Sequence, residues 1–186
     1  MLEVTSTAIP EVKLIVPGRH SDARGFFSEV YSKKAFEAAG LGIDFVQDNH
    51  SFSAERGVVR GLHFQSSPYA QDKLIRVTRG AILDVAVDLR RGSATFKRHV
   101  KVRLSADQWN QLFVPKGFAH GYCTLEANTE VLYKVSEYYH PECDRGIAWN
   151  DPELDIAWPF PLEATVLSNK DRGLPLLSEA GELFSI

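Results

Sequence analysis

Two short segments of this 186-residue chain carry side chains suited to proton transfer or ligand binding. The first, GVVRGLHFQ (57–65), sets Arg60 and His63 on either side of Gly61. The second, PKGFAHG (115–121), delivers His120 at the start of a strand behind a Pro-x-Gly turn. Histidines on two distant strands meet inside a β-barrel, where strand interiors face one another. A hydrogen-bonded structural histidine is the plainer alternative for each, but two of them in separate glycine-flanked strand segments favour chemistry. Deprotonating a carbon acid needs a base of near-neutral pKa, an acid on the other side and a cation for the enolate oxygen. His63 suits the base. Asp171, in SNKDRG, is a candidate to orient the imidazole and raise its basicity. Lys73, in QDKLIR, can provide the cation and Tyr133, in VLYK, the phenolic proton. Taken singly, Lys73 also fits a solvated strand residue, Tyr133 core packing beside Val131 and Val135, and Asp171 a turn cap.

The elements that must position these groups are mostly strands. In AILDVAVDL (81–89), Leu83, Val85, Val87 and Leu89 share one face and Asp84 and Asp88 the other. Val100, Val102 and Leu104 alternate with Lys101 and Arg103, and Val131, Tyr133 and Val135 with Leu132 and Lys134. Glycines at 57, 80, 92 and 117 punctuate these runs at turns. Helix signals are few: SKKAFEAAG (32–40) has an N-cap serine and a terminal glycine, although two lysines in its first turn oppose the helix dipole. Ser105 with Gln108 reads as a capping box on a single turn. The last 25 or so residues read as a loop plus a short helix or turn. Many short strands with turn glycines and no βαβ rhythm predict an all-β sandwich or barrel. Arg60 and His63 have opposite parity in a regular strand, and a bulge at Gly61 would bring them to one side.

Composition narrows the classes. The length fits one domain, 1–186, with an N-terminal arm and a C-terminal loop or short helix. A formal net charge of −3 argues against a basic nucleic-acid-binding surface. Cys123 and Cys143 form neither a CxxC pair nor a Cys/His metal spacing, and are expected as free thiols of a cytoplasmic protein. No apolar run approaches a membrane span, and the N-terminus does not read as a signal peptide. The absence of GxGxxG, GxxxxGK[ST] and GxSxG argues against a dinucleotide site, a P-loop and a hydrolase elbow.

PKGFAH resembles the second motif of the cupin superfamily, but the HxH pair and glutamate of the first motif are missing around His63. Two obvious ligands fall short of the three or four that a transition metal wants, so a cupin-like fold without metal is expected.

DARGFFSE (22–29), VQDNHSFS (46–53), GVVRGLHFQ (57–65), AQDKLIRVTRGAILDVAVDLRRGS (70–93), FVPKGFAHGY (113–122), VLYKVSEYYHPE (131–142), GIAWNDPELDIAWP (146–159) and LSNKDR (167–172) together resemble the dTDP-4-dehydrorhamnose 3,5-epimerase family. The resemblance covers nearly the whole chain. It implies a cupin-type jelly-roll barrel with a few short helices, a homodimer, no cofactor, and a dTDP-4-keto-6-deoxyhexose substrate. It implies that His63 is the base, Tyr133 the acid, Asp171 the partner of His63, and that Lys73 lies near the keto oxygen. Arg24, Glu29, Gln47, Asn49, Arg60, His120, Asp144 and Lys170 match substrate-binding positions, and Phe27 and Tyr139 match aromatics that stack near the thymine. Arg24, Phe27 and Glu29 are expected to serve the partner subunit's site. The physics agrees: a 4-keto group acidifies carbons 3 and 5, and no redox change is needed. An epimerase acting at only one of these carbons, in another deoxysugar pathway, is the alternative. A non-enzymatic sugar-nucleotide binder and a metal-dependent cupin enzyme are more distant readings.

Overall fold

A computed structural model of the chain describes residues 2–185. The strands in chain order are β1 (Glu3–Ser6), β2 (Lys13–Val16), β3 (His20–Asp22), β4 (Gly25–Phe27), β5 (Gln47–Ser53), β6 (Val59–Gln65), β7 (Lys73–Arg79), β8 (Ala81–Asp88), β9 (Arg90–Arg91), β10 (His99–Ser105), β11 (Gln111–Val114), β12 (Phe118–Thr124), β13 (Thr129–Val135), β14 (Asp144–Gly146) and β15 (Phe184–Ser185), with helices α1 (Lys33–Ala38) and α2 (Asn169–Arg172). A six-stranded sheet, β1-β2-β11-β7-β13-β5, faces a five-stranded sheet, β10-β8-β12-β6-β14. Every pairing within these two sheets is antiparallel. This is the all-β jelly-roll barrel of the cupin type.

Alternation along the strands gives the barrel two kinds of apolar layer. Ile75, Val77, Leu112, Val114 and Val131 of the larger sheet meet Ile82, Ala86, Val100, Leu104 and Phe118 of the smaller one inside the barrel. Leu62, Phe64, Val85, Val87 and Ala119 point the other way and are covered by Leu154, Leu177 and the C-terminal segment. The larger sheet's outer face is covered where Phe36 of α1 and Leu41 pack on Ile15, Leu74 and Phe113. Burying one such side chain contributes roughly 1.5–3 kcal/mol. In β8 the apolar alternating face therefore lies under the C-terminal segment, while Asp84 and Asp88, both fully buried, share a side with Ile82 and Ala86 of the barrel's interior core.

Gly61 does supply the extra residue that the parity of Arg60 and His63 demands. His63 pairs with His120 and Arg60 with Tyr122, so two steps along β12 oppose three along β6. Gly61 has φ +121°, and a Cβ there would come within 2.6 Å of the Cα of Gly121. Both requirements, a positive φ and near-contact of two backbones, exclude a side chain.

The short elements follow the sequence closely. Ser32 sits at the N-cap of α1 but makes no side-chain cap bond. The Ser105 box is one-sided: the Gln108 N–H donates to Ser105 Oγ at 3.1 Å, whereas Gln108 Oε1 accepts from Asn110 Nδ2. Cys123 and Cys143 are buried free thiols. No helix among the described residues is long and apolar enough to cross a membrane.

Candidate active site

A cleft of about 500 Å³ opens into the barrel between the two sheets. β6 and β12 supply Arg60, His63, His120 and Tyr122 from one side. β5, β7 and β13 supply Ser51, Lys73 and Tyr133 from the other. The C-terminal segment closes one edge with Val166, Leu167, Ser168, Lys170 and Asp171. That segment is held by a parallel bridge between Val58 and Val166 and by hydrogen bonds of Val166 N–H to Gly57 O and Val59 N–H to Val166 O.

His63 Nε2 lies 2.6 Å from Asp171 Oδ1. Asp171 is 5% exposed and is itself fixed by Ser168, whose Oγ accepts from the Asp171 N–H at 3.0 Å and donates to Oδ2 at 2.9 Å. Asp171 thus stands in the first turn of α2, capped by Ser168, and its carboxylate also holds the imidazole. Burial pushes its carboxyl upward, but the hydrogen bond and charge of His63, the Ser168 hydroxyl and the Lys170 ammonium outweigh it and hold the carboxyl below its ordinary value.

A second pair lies one strand away. His120 Nε2 sits 2.9 and 3.0 Å from the two oxygens of Asp84, which is wholly buried on β8. Burial raises the Asp84 carboxyl, opposed by the charge and hydrogen bond of His120 and by Lys73. Lys73 is 9% exposed, and its Nζ donates to His63 O at 3.4 Å. Burial lowers its ammonium to about 8, against the pull of Asp144 and Asp84. It is a buried cation rather than a solvated strand residue.

Tyr133 lines the cleft and packs against the barrel core. Burial raises its phenol, with Arg60 opposing. Arg60 is steered by Phe52 O, to which Nη2 donates at 3.0 Å, and by Ser53 Oγ at 3.4 Å. Around the mouth, Asp144 Oδ2 accepts from Tyr139 Oη at 3.0 Å and pairs with Lys170 Nζ. The Asp144 carboxylate is thus partnered by a phenol and an ammonium.

The remaining expected residues are not part of the cleft wall. Gln47 and Asn49 lie on β5 and hydrogen-bond to each other at 2.9 Å, with Asn49 opposite Tyr133. Arg24 and Phe27 belong to the isolated β3–β4 hairpin, and Glu29 follows it. Arg24 bonds only to Asp22 among the described residues, and Phe27 is 71% exposed. None of Arg24, Phe27 and Glu29 lines this chain's own cleft.

Several cleft residues had no signal that singled them out. Tyr122 belongs to the barrel core, yet its hydroxyl meets Ser51 Oγ at 2.8 Å inside the cleft. Asp84 could have been found, because an aspartate inside an otherwise apolar run is costly unless partnered. Val58, Val166 and Leu167 form an apolar flank with no chemical motif. Among the described residues, no three His, Cys, Asp or Glu side chains are grouped so as to hold a metal ion.

The family model for dTDP-4-dehydrorhamnose 3,5-epimerase matches residues 6–179. The chain belongs to this family. It is 53% identical to dTDP-4-dehydrorhamnose 3,5-epimerase of Pseudomonas aeruginosa, over 92% of this chain and 93% of that protein. The crystal structure of the Bacillus anthracis epimerase with TDP and PPi bound superposes with a TM-score of 0.92 at 54% identity, covering 95% of this chain and all of that one. The Legionella pneumophila family member in complex with dTDP-4-keto-L-rhamnose superposes with a TM-score of 0.91 at 44% identity, covering 96% and 94%.

Proposed function

We propose that this chain epimerises carbons 3 and 5 of dTDP-4-dehydro-6-deoxy-D-glucose, giving dTDP-4-dehydro-L-rhamnose, by proton transfer through an enolate and without a cofactor. The observation that carries the reading is one cleft with a carboxylate-held histidine on one sheet and a phenol on the facing sheet. An epimerisation takes a proton from one face of a carbon and returns one to the other, which needs a base and an acid on opposite sides. Family membership at this identity supports the same reaction.

His63 removes the proton from the carbon next to the keto group, and Asp171 stabilises the imidazolium that results. The electron pair moves onto the keto oxygen, where the Lys73 ammonium offsets the charge. Tyr133 then donates its proton to the opposite face as the carbonyl re-forms, His63 loses its proton to solvent and Tyr133 regains one from it, and the cycle is repeated at the second carbon. Arg60, Lys170 and His120 supply positive charge and donors for the pyrophosphate and sugar. Tyr139 offers a ring face to thymine, while Asp144 fixes Tyr139 and Lys170. Gln47 and Asn49 bring amide groups to the same end.

The chain works as one cupin-like epimerase domain spanning 1–186, in the cytoplasm, as a homodimer. The exposed hairpin supports the dimer: Arg24, Phe27 and Glu29 are absent from their own cleft and are free to complete the partner's.

Proton NMR of the substrate in D₂O tests this reading. Loss of signal at both carbons, with inversion at both, is expected. Exchange at one carbon alone would replace the assignment with a single-centre epimerase. No exchange, with dTDP still bound, would leave a binding protein.

A further inference from the structure

Gln65 lies two residues beyond His63 on β6 and is 4% exposed. Both ends of its amide are bonded to backbone. Nε2 donates to Tyr69 O at 2.6 Å and to Tyr138 O at 3.1 Å. Oε1 accepts from the His140 N–H at 2.7 Å. The Tyr138 carbonyl and the His140 N–H flank Tyr139 on either side, so one side chain grips the backbone as a neighbouring strand would. The same amide ties in the Ser66–Gln71 loop through Tyr69, whose ring stacks on the His140 imidazole at 3.6 Å and 6°. Gln71 adds a bond from Nε2 to Glu137 O at 2.8 Å. Tyr139 is 56% exposed, and its only described side-chain bond is to Asp144. Its ring direction therefore depends on the backbone that Gln65 holds.

We infer that Gln65 is a positioning residue for nucleotide recognition, acting through Tyr139 rather than on the reacting carbons. Gln65 does not line the cleft, and both N–H donors of its amide are taken by backbone carbonyls. Losing the clamp frees the 138–140 segment, and ordering it again is charged to binding. The chemical step, carried by His63 and Tyr133 deeper in the cleft, is untouched. The inference rests on the proposed epimerase reading.

The test is steady-state kinetics with dTDP-4-dehydro-6-deoxy-D-glucose, with dTDP affinity measured by calorimetry, for wild type, Gln65→Ala, Gln65→Glu, Tyr139→Ala and the Gln65→Ala/Tyr139→Ala double variant. Gln65→Glu keeps the shape, removes both N–H donors and faces two carbonyls with a carboxylate. Both Gln65 variants are expected to raise KM and weaken dTDP about tenfold while kcat stays within about twofold. In the Tyr139→Ala background the Gln65→Ala change should add less than about twofold, because the two act as one unit. Equal loss in kcat at unchanged KM, full additivity with Tyr139→Ala, or a lowered melting temperature with dTDP affinity intact would each overturn the inference. Wild-type protein that binds dTDP but does not turn the sugar over would instead overturn the epimerase reading, and the dTDP affinities of the variants would still decide the role of Gln65.

Discussion

The cleft holds two histidine–aspartate pairs of the same chemistry in different settings. His63 is 30% exposed on its side chain, and its aspartate comes from α2, 108 residues further along the chain. His120 is 8% exposed, and its aspartate comes from the adjacent strand of the same sheet, with no exposure at all. The first pair joins the barrel to a separate segment at the edge of the cleft. The second is built into one sheet. Their carboxylates differ accordingly: Asp171 is held below its ordinary pKa by its partners, whereas burial raises Asp84. A base must exchange protons with substrate and solvent, which suits His63. A group that only presents a donor gains from being immobile and dry, which suits His120.

The sharpest way to break this contrast is to truncate each histidine. His63→Ala should lower kcat and solvent deuterium exchange by about 10²–10⁴-fold, the usual worth of a general base. His120→Ala should act mainly on KM, by about tenfold. Stopped exchange in His120→Ala with full exchange in His63→Ala would reverse the roles. Stability should rank the other way. Leaving one partner of a buried hydrogen-bonded pair unsatisfied costs about 1–3 kcal/mol, so Asp84→Ala, whose partner is the more buried, should lose more in denaturant unfolding than Asp171→Ala. Equal losses would mean that burial does not separate the two pairs.

Their pH dependences should also have opposite signs. The lowered carboxyl of Asp171 contributes stability above its ordinary value of 3.8, lost as pH falls through its folded value. The raised carboxyl of Asp84 costs stability as pH rises from 3.8 through its folded value. Asp171→Asn should flatten the acid loss of stability below about pH 3.8, and Asp84→Asn should steepen it above that value. For turnover, Lys73 matters most above neutrality. If its ammonium offsets the enolate charge, kcat/KM should fall about tenfold per pH unit above a midpoint of about 8, since that ratio reports the free enzyme. Lys73→Arg keeps its charge at such pH and should remove this limb; a limb that persists belongs to another group.

Much of this was legible in residues. His63, Lys73, Tyr133 and Asp171 were each suited to proton transfer but were connected only by the family resemblance, whereas the parity conflict between Arg60 and His63 by itself located the Gly61 bulge. Alternation gave the strands but not which face of β8 was inside, because both faces are buried and each side has its own apolar neighbours. Asp84 therefore read as half of an amphipathic pattern rather than as a partner for His120. Tyr122 and Gln65 were hidden for a related reason: a phenol among apolar side chains and an amide at a strand end carry no spacing signal. Their meaning comes from backbone brought close by the fold.

A second regional contrast, between the enclosed cleft and the exposed β3–β4 hairpin, gives the last prediction. Phe27 is 71% exposed, and the Arg24 side chain is 89% exposed, bonded only to its neighbour Asp22 among the described residues. Such a hairpin adds nothing to its own barrel core and is explained if it completes a partner's cleft. An Arg24→Ala/Phe27→Ala chain and a His63→Ala chain should each be nearly inactive alone. Mixed in equal amounts and allowed to exchange subunits, half of the dimers are hybrids, and each hybrid has one cleft with both His63 and an intact partner hairpin. Activity should recover to about one quarter of wild type, the statistical share for a two-fold dimer. A mixture that stays inactive while hybrids are detected by mass would place the hairpin's contribution in its own subunit, or nowhere near the substrate.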